Sequence, residues 1–336
     1  MTRSSRVELV AVASRSAAKA KLFCEELGLK DCVCLEGYEA LLDADIDAVY
    51  LPLPTTLHLE WVRFFAAAGK HVLVEKPVGT TVAEVRAMIG ICREKGVKIM
   101  DGTMFMHHER FASMSRLFQD ELFWKPTRVT AAFSFYGGPE FLNKGNIRTR
   151  LDGDPCGCMG DVGWYCLRLG LAAFRYEKAV AVSTRLHDQS DEGVPFDLDC
   201  DVFFENDKML SLHCSFKHHM RQWFEAVSVD PRFGSRIVRC DDFVIPRREE
   251  ICDYTIEEIP NQQTINYDTV CASSKTTIPF YGCSQEKNMF DAFATLSPES
   301  SRFFEEVTIK THYLMEAALL SAKNNGEKTN VTYFDD

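Results

Sequence analysis

Two rhythms of apolar residues run through the first hundred positions. Residues 7–13 form a short apolar run suited to a buried strand, and Ala20, Phe23, Cys24 and Leu27 then recur at helical spacing. Ser16 stands where a helix N-cap belongs, and Gly28 where a chain turns out of a helix. Residues 46–51 predict the next central strand. Leu57, Trp61, Phe64, Phe65 and Ala68 follow on one helical face, closed by Gly69. Residues 71–75 read as a strand. Thr81 and Glu84 read as a capping box ahead of Val85, Met88, Ile89 and Cys92, and residues 97–100 as a further strand after Gly96. Strand and helix in turn imply βαβ units, and hence a parallel, doubly wound sheet.

The rhythm changes near residue 105. One helix around residues 111–118 gives way to period-two segments: Val129, Ala131, Phe133 and Phe135; Val180, Val182, Thr184 and Leu186; Leu210, Leu212, Cys214 and Phe216. Alternation repeated this often predicts a large, mainly antiparallel sheet. Residues 260–298 are the least regular and read as loops with short elements. A long helix over 300–322 closes the chain, with Phe303, Val307, Lys310, Leu314 and Ala317 on one side. The expected fold class is α/β, with a Rossmann-type domain over 1–105 followed over 106–336 by an α+β domain built on the second sheet.

A chain of 336 residues has material for both cores. Its formal charge of −11 argues against a nucleic-acid partner, which needs a basic surface to displace counterions. There is no apolar run of about 18 residues to span a membrane. The opening Met-Thr-Arg-Ser-Ser-Arg leads into a strand rather than a signal-peptide core, so a soluble cytoplasmic protein is expected, with an organelle as the other address. Thirteen irregularly spaced cysteines point to a reducing compartment. Cys32/Cys34 and Cys156/Cys158 lack the spacing of a structural zinc site. His107-His108-Glu109 and His218-His219 lack that of helical metal ligands, so no metal is expected.

Two motifs carry chemistry. Glu75-Lys76-Pro77-Val78 ends a predicted parallel strand, on the side where doubly wound sheets hold their ligands. Alternation sends Glu75 and Lys76 to different sides, and Pro77 fixes the backbone beyond them. A desolvated lysine there can hold a lowered pKa and move a proton; a solvated surface lysine would have the same sequence. In Gly160-Asp161-Val162-Gly163-Trp164-Tyr165, Asp161 and Tyr165 stand at i and i+4 and would share a helical face. A carboxylate favouring the helix dipole beside a core tyrosine would read alike.

These motifs join Val12-Ala13-Ser14-Arg15-Ser16, Pro52-Leu53-Pro54 with His58, Gly69-Lys70-His71 and Met100-Asp101-Gly102-Thr103-Met104. Together they closely resemble the Gfo/Idh/MocA oxidoreductase family, and most of all its branch of plant uncharacterised oxidoreductases. Dihydrodiol dehydrogenase and D-xylose dehydrogenase-like enzymes are more distant. The resemblance implies a nicotinamide-dependent oxidoreductase acting on a small sugar, polyol or dihydrodiol. It implies that Lys76 orients substrate and assists proton transfer, that Tyr165 is the acid/base, and that Asp161 is the acidic member of the same site. It places Ser14, Arg15, Pro52, Pro54, His58, Glu75 and Lys76 on the cofactor, and Arg148 and Trp164 against substrate, although a surface salt bridge explains Arg148 equally well. It also implies a homo-oligomer formed through an apolar patch of the second sheet, over about residues 127–240.

At the end of the first strand an NAD-preferring site places a carboxylate, whereas this chain has Ser14-Arg15 and no acid until Glu25. A guanidinium and a hydroxyl suit a 2′-phosphate, so NADP is expected over NAD; a solvent-exposed arginine at a helix start is the other reading of Arg15. In the family, a strand, a Gly-x-Gly-x-x-Gly-like turn and a helix come before the strand ending in Ser-Arg. Here no glycine occurs before Gly28, so a first βα unit of about thirty residues is expected to be missing, and with it the amides that hold a pyrophosphate. Three accounts stand: a truncated gene model, an enzyme that binds cofactor weakly, or a catalytically inactive member serving as a structural subunit of a larger assembly.

Overall fold

A computed structural model describes residues 4–143, 145–232, 234–248, 250–260, 274–282 and 284–334. Five parallel strands come first: β1 (Ala11–Ser14), β2 (Val33–Glu36), β3 (Ala48–Leu51), β4 (His71–Val74) and β5 (Ile99–Asp101). They are interleaved with α1 (Ala17–Glu26), α2 (His58–Ala67) and α3 (Val82–Lys95). β2, only four residues long, is a strand that hydrophobic patterning did not reveal. The five strands pair as two sheets, β1–β2 and β3–β4–β5, with no ladder joining β1 to β3 among the described residues.

Local chemistry sets the helix ends. The Ser16 side chain accepts from the Lys19 amide at the start of α1, and Thr81 accepts from Glu84 N–H at the start of α3. Glu84 returns its carboxylate to the Thr80 amide, one residue earlier than a capping box expects, at 2.8 Å. Gly96 ends α3 at φ +68°, which a residue with a side chain would adopt only under strain. Along β4, Val72 and Val74 face a core with α2 and α3, while Leu73 faces Met100, Met289, Phe290 and Phe293 on the other side. The second face is covered by α6 (Gln285–Ala294), within the stretch read as irregular; residues 261–273 of that stretch lie outside the described residues. On α2 the buried residues are His58, Trp61, Val62, Phe65 and Ala66, so the buried face is rotated relative to the predicted stripe and Phe64 is exposed.

Beyond α4 (Glu109–Gln119) runs a sheet of nine strands. These are β6 (Pro126–Tyr136), β7 (Ala179–Gln189), β8 (Pro195–Phe204), β9 (Met209–Ser215), β10 (Lys217–Asp230), β11 (Gly234–Cys240), β12 (Ile251–Ile259), β13 (Ser274–Tyr281) and β14 (Thr329–Asn330). They lie in the order β13-β12-β11-β10-β6-β9-β8-β7-β14, antiparallel except for β6–β9. The inner face packs on α5 (Trp164–Ala173) and the terminal helix α7 (Pro298–Lys323), as the alternation of Val129, Ala131 and Phe133 requires. The outer face is not the expected apolar patch. Asp197, Asp199 and Asp201 on β8 lie in register with Ser215, His213 and Ser211 on β9, and Arg128 on the adjoining β6 donates to Ser211.

The two layers are bolted together by charge. Asp101, at the end of β5, takes a 3.0 Å bond from Arg168 of α5 and another from the Thr308 hydroxyl of α7, while Arg168 also donates to Thr311. Both members of this ion pair are fully buried. Burial alone would raise the Asp101 pKa, but the Arg168 charge and the donated hydrogen bonds hold it below the usual carboxylate range.

Candidate functional site

The carboxyl ends of β3, β4 and β5 bring their loops to one corner, where Lys76 leaves β4 and meets the turn before α5. Lys76 Nζ lies 2.5 Å from Asp161 Oδ1 and 2.9 Å from the Asp161 carbonyl oxygen. It also stands 4.8 Å from the centre of the Tyr165 ring, in cation–π range. Residues far apart in the chain thus form one cluster. Asp161 lies in a π-helical turn, Met159–Gly163, instead of the regular α-helix that the i, i+4 argument assumed. Such turns are frequent at functional sites because they displace a side chain from the helical register.

Two glycines permit the close approach. A Cβ on Gly160 would stand 2.5 Å from Cys156 Cβ and 3.1 Å from Pro77, and one on Gly102 would stand 2.8 Å from a Glu75 carboxylate oxygen. Glu75 accepts a 2.6 Å bond from the Tyr50 hydroxyl, a partner that nothing in the sequence pattern announced. Arg148 joins the cluster, its Nε 3.2 Å from Asp161 Oδ2. Lys76, Pro77, Arg148, Asp154, Cys156 and Asp161 are among the residues around a cavity of about 30 Å³, with room for one water.

Electrostatics refine the chemistry. Burial works to lower the Lys76 pKa, but Asp161 and Tyr165 outweigh it and hold the ammonium above its usual range, contrary to the expected lowered value. Burial would raise Asp161, yet Lys76 and Arg148 keep it below the ordinary carboxylate range. Burial pushes the Tyr165 hydroxyl up to about 12 against the pull of Lys76. The corner therefore holds a charged lysine locked to a charged aspartate, with a protonated tyrosine beside them.

Two expected contacts are corrected. His58 is buried, with its ring nitrogens 3.0 Å from the Val78 carbonyl oxygen and 2.8 Å from that of Leu53, so it ties the β3 and β4 loops together and has no nitrogen open to a cofactor. Trp164 is fully buried and donates to the Thr103 hydroxyl at 2.8 Å, so it cannot touch substrate. At the other end of the crevice, Ser14 is half-buried at the end of β1, and Arg15 is exposed with no ion pair among the described residues. Pro52 is exposed and Pro54 half-buried on the β3 loop. Glu36, at the end of β2, accepts from the Ala17 amide at 3.3 Å and brings a carboxylate to this corner.

Comparison with known proteins places the chain in a family. Residues 1–103 match the model of GFO_IDH_MocA, an oxidoreductase family with an NAD-binding Rossmann fold. D-xylose 1-dehydrogenase (NADP(+)) 2 of Haloferax volcanii is 32% identical over 232 residues, 68% of this chain and 68% of that protein. The chain belongs to the Gfo/Idh/MocA oxidoreductase family. A dTDP-3,4-didehydro-2,6-dideoxy-alpha-D-glucose 3-reductase of Streptomyces violaceoruber is 35% identical over 186 residues, 55% of this chain, and the chain spans about half (52%) of that relative. Among solved structures, KijD10, a 3-ketoreductase from Actinomadura kijaniata in complex with TDP-benzene and NADP, superposes with a TM-score of 0.75 at 25% identity, over 94% of this chain and 89% of that one. That enzyme has also been solved with a lysine replaced by alanine and with a tyrosine replaced by phenylalanine. No helix among the described residues is long and apolar enough to cross a membrane.

Proposed function

We propose that this member of the family is an NADP-dependent sugar oxidoreductase that interconverts a hydroxyl and a carbonyl, with Lys76 and Tyr165 handling the proton. The observation that carries the reading is the convergence of Lys76, Asp161 and Tyr165 on one buried corner at the carboxyl end of β4. When bound, the nicotinamide supplies or takes up the hydride. Lys76, kept charged, offers an N–H to the substrate oxygen once that oxygen competes with Asp161 for it. Tyr165, protonated at neutral pH and beside that ammonium, gives or takes the proton through its hydroxyl. Arg148 holds the far side of Asp161, and its half-exposed guanidinium is placed to meet a polar substrate. The lysine and tyrosine substituted in the solved relative are the same two residue types.

The residues present fit the two ends of the cofactor. Arg15 and Ser14 can take a 2′-phosphate, and Glu75 and Lys76 border the place of the nicotinamide. For the pyrophosphate between them, the described residues offer no glycine-rich turn into a helix. A second reading, a catalytically inactive subunit of a larger assembly, draws on the break between β1 and β3 among the described residues.

Titration of the full chain with NADPH, followed by nicotinamide fluorescence and by the melting temperature, separates the two. The enzyme reading expects saturable binding with a rise in melting temperature, weaker binding of NADH, and a loss of turnover of about 10²–10⁴-fold in Lys76→Ala. Absence of NADPH binding, together with recovery of the chain in a large stable assembly, would establish the second reading instead.

A further inference from the structure

On the outer face of the large sheet, far in sequence from the Lys76 corner, three histidines and two aspartates face one another across neighbouring strands. His213 on β9 directs Nδ1 at Asp199 Oδ1 at 2.9 Å, and His187 on β7 directs Nε2 at the other oxygen of Asp199 at 2.8 Å. The Nε2 of His213 faces Asp197 Oδ1 at 3.7 Å, too long for a hydrogen bond. Asp197 is only 9% exposed, and its Oδ1 has no hydrogen-bond partner among the described residues. The nearest nitrogen thus stands beyond hydrogen-bond range of a buried carboxylate oxygen that is costly to leave unmatched. A cation between this oxygen and His213 Nε2 would be bound by both atoms.

The third donor is already in place. His218 Nε2 lies 3.2 Å from Asp197 Oδ2, and the rings of His213 and His218 are 5.3 Å apart. His218 sits on β10, where the register with β6 breaks between Lys217 and Arg221, and such irregularities re-aim side chains. This is how a β10 residue reaches across β6 toward β8 and β9. One ligand atom from each of Asp197, His213 and His218 lies within 4.8 Å of the others. Nearby Lys217 is engaged by Asp188.

We propose that Asp197, His213 and His218 bind one divalent transition-metal ion, with zinc the best match to the donor set, and that Asp199 orients His213 from behind. Two imidazoles and one carboxylate are borderline ligands that suit zinc, and they leave a fourth tetrahedral position for water. Asp199 accepts the hydrogen bond that a ligating histidine normally gives to a carboxylate, which would fix the tautomer and leave Nε2 for the metal. The ion would tie β8, β9 and β10 together across β6. From the sequence, His218 reads as a surface histidine, because its co-ligands come from other strands.

The test is to titrate the chelator-treated full chain with Co²⁺, follow its visible absorption, and then displace it with Zn²⁺. The expected result is one site, with d–d bands, no thiolate-to-cobalt charge-transfer band in the near ultraviolet, and displacement by Zn²⁺. His213→Ala and, at an exposed position that leaves folding untouched, His218→Ala should each lower affinity at least about tenfold, and Asp199→Asn about 10–100-fold, with unchanged circular dichroism. Lack of saturable binding, a thiolate band, or unaltered affinity in both histidine variants would each overturn the site.

Discussion

The two parallel sheets are built by the same alternation of strand and helix and end up in very different states. β3–β4–β5 is covered on both faces, by α2 and α3 on one and by α6 on the other, and Val62, Val72, Val85, Met88 and Cys92 are wholly buried. β1–β2 has α1 alone. Of that helix only Ala20 and Cys24 are buried, while Leu22, Leu27 and, on β2, Val33 remain more than half exposed at 56%, 58% and 56%. Periodicity tells a chain which face of an element is apolar; only a second layer decides whether that face leaves water. The sheet with two layers carries the Lys76 corner, and the sheet with one carries Arg15.

The largest effect should come from the bolt at the end of β5. Arg168→Met would leave the Asp101 carboxylate buried without its cation, and the loss should be about 3–5 kcal/mol in urea unfolding. A loss below about 1 kcal/mol would mean that the two layers are not joined there. Next comes a matched pair of truncations. Met88→Ala, in the doubly covered sheet, should cost about 2–5 kcal/mol, whereas Phe23→Ala on exposed α1 should stay within about 0.5 kcal/mol. Amide exchange should follow the same line, with β1 and β2 exchanging before β4. Equal protection of the two sheets would erase the contrast.

How much of this was legible follows the same division. The βαβ order, the antiparallel second sheet and the terminal helix were readable because each rests on local spacing. The Lys76 and Asp161 motifs were readable as separate candidates, and their meeting was inferred from family resemblance. The sequence could not show Tyr50 reaching Glu75, Arg148 reaching Asp161, or the lock that raises Lys76, since each depends on which loop ends share a corner. His58 and Trp164 were misplaced for a related reason. Both lie inside diagnostic motifs, and motif membership does not separate residues that shape a site from residues that touch its ligand.

The buried junction also sets a pH dependence that β1–β2 should not share. His312 on α7 is fully buried against Trp164, its ring nitrogens have no hydrogen-bond partner among the described residues, and burial followed by the Arg168 charge lowers its pKa to about 3. In the unfolded chain it titrates near 6.5. Between these values the unfolded state binds the extra proton, so stability rises with pH across the window and falls as pH drops below about 6. The contribution is about 1.4 kcal/mol per pH unit. His312→Phe should flatten the slope by that amount in denaturant midpoints measured between pH 4 and 6. An unchanged slope would assign the acid sensitivity to other groups, His107 and His108 first among them, since burial also lowers both to about 4.

The smallest effect is the most direct comparison of the two sheets, because it applies one chemical change to both. Ser16 and Thr81 each cap a helix by accepting a backbone N–H three residues on, at 3.3 and 3.2 Å. Removing either hydroxyl by substitution with alanine deletes the same bond, worth about 1 kcal/mol. For Thr81→Ala the helix is α3, packed against α2, β4 and α7, so its opening is part of global unfolding and the full loss should appear in the urea midpoint. α1 is held by two buried side chains and can open by itself, so Ser16→Ala should speed amide exchange in residues 17–26 while the midpoint stays within about 0.5 kcal/mol. If Ser16→Ala instead lowers global stability as much as Thr81→Ala does, the β1–β2 layer folds as one cooperative unit with the rest, and the exposed side of α1 is no measure of its independence.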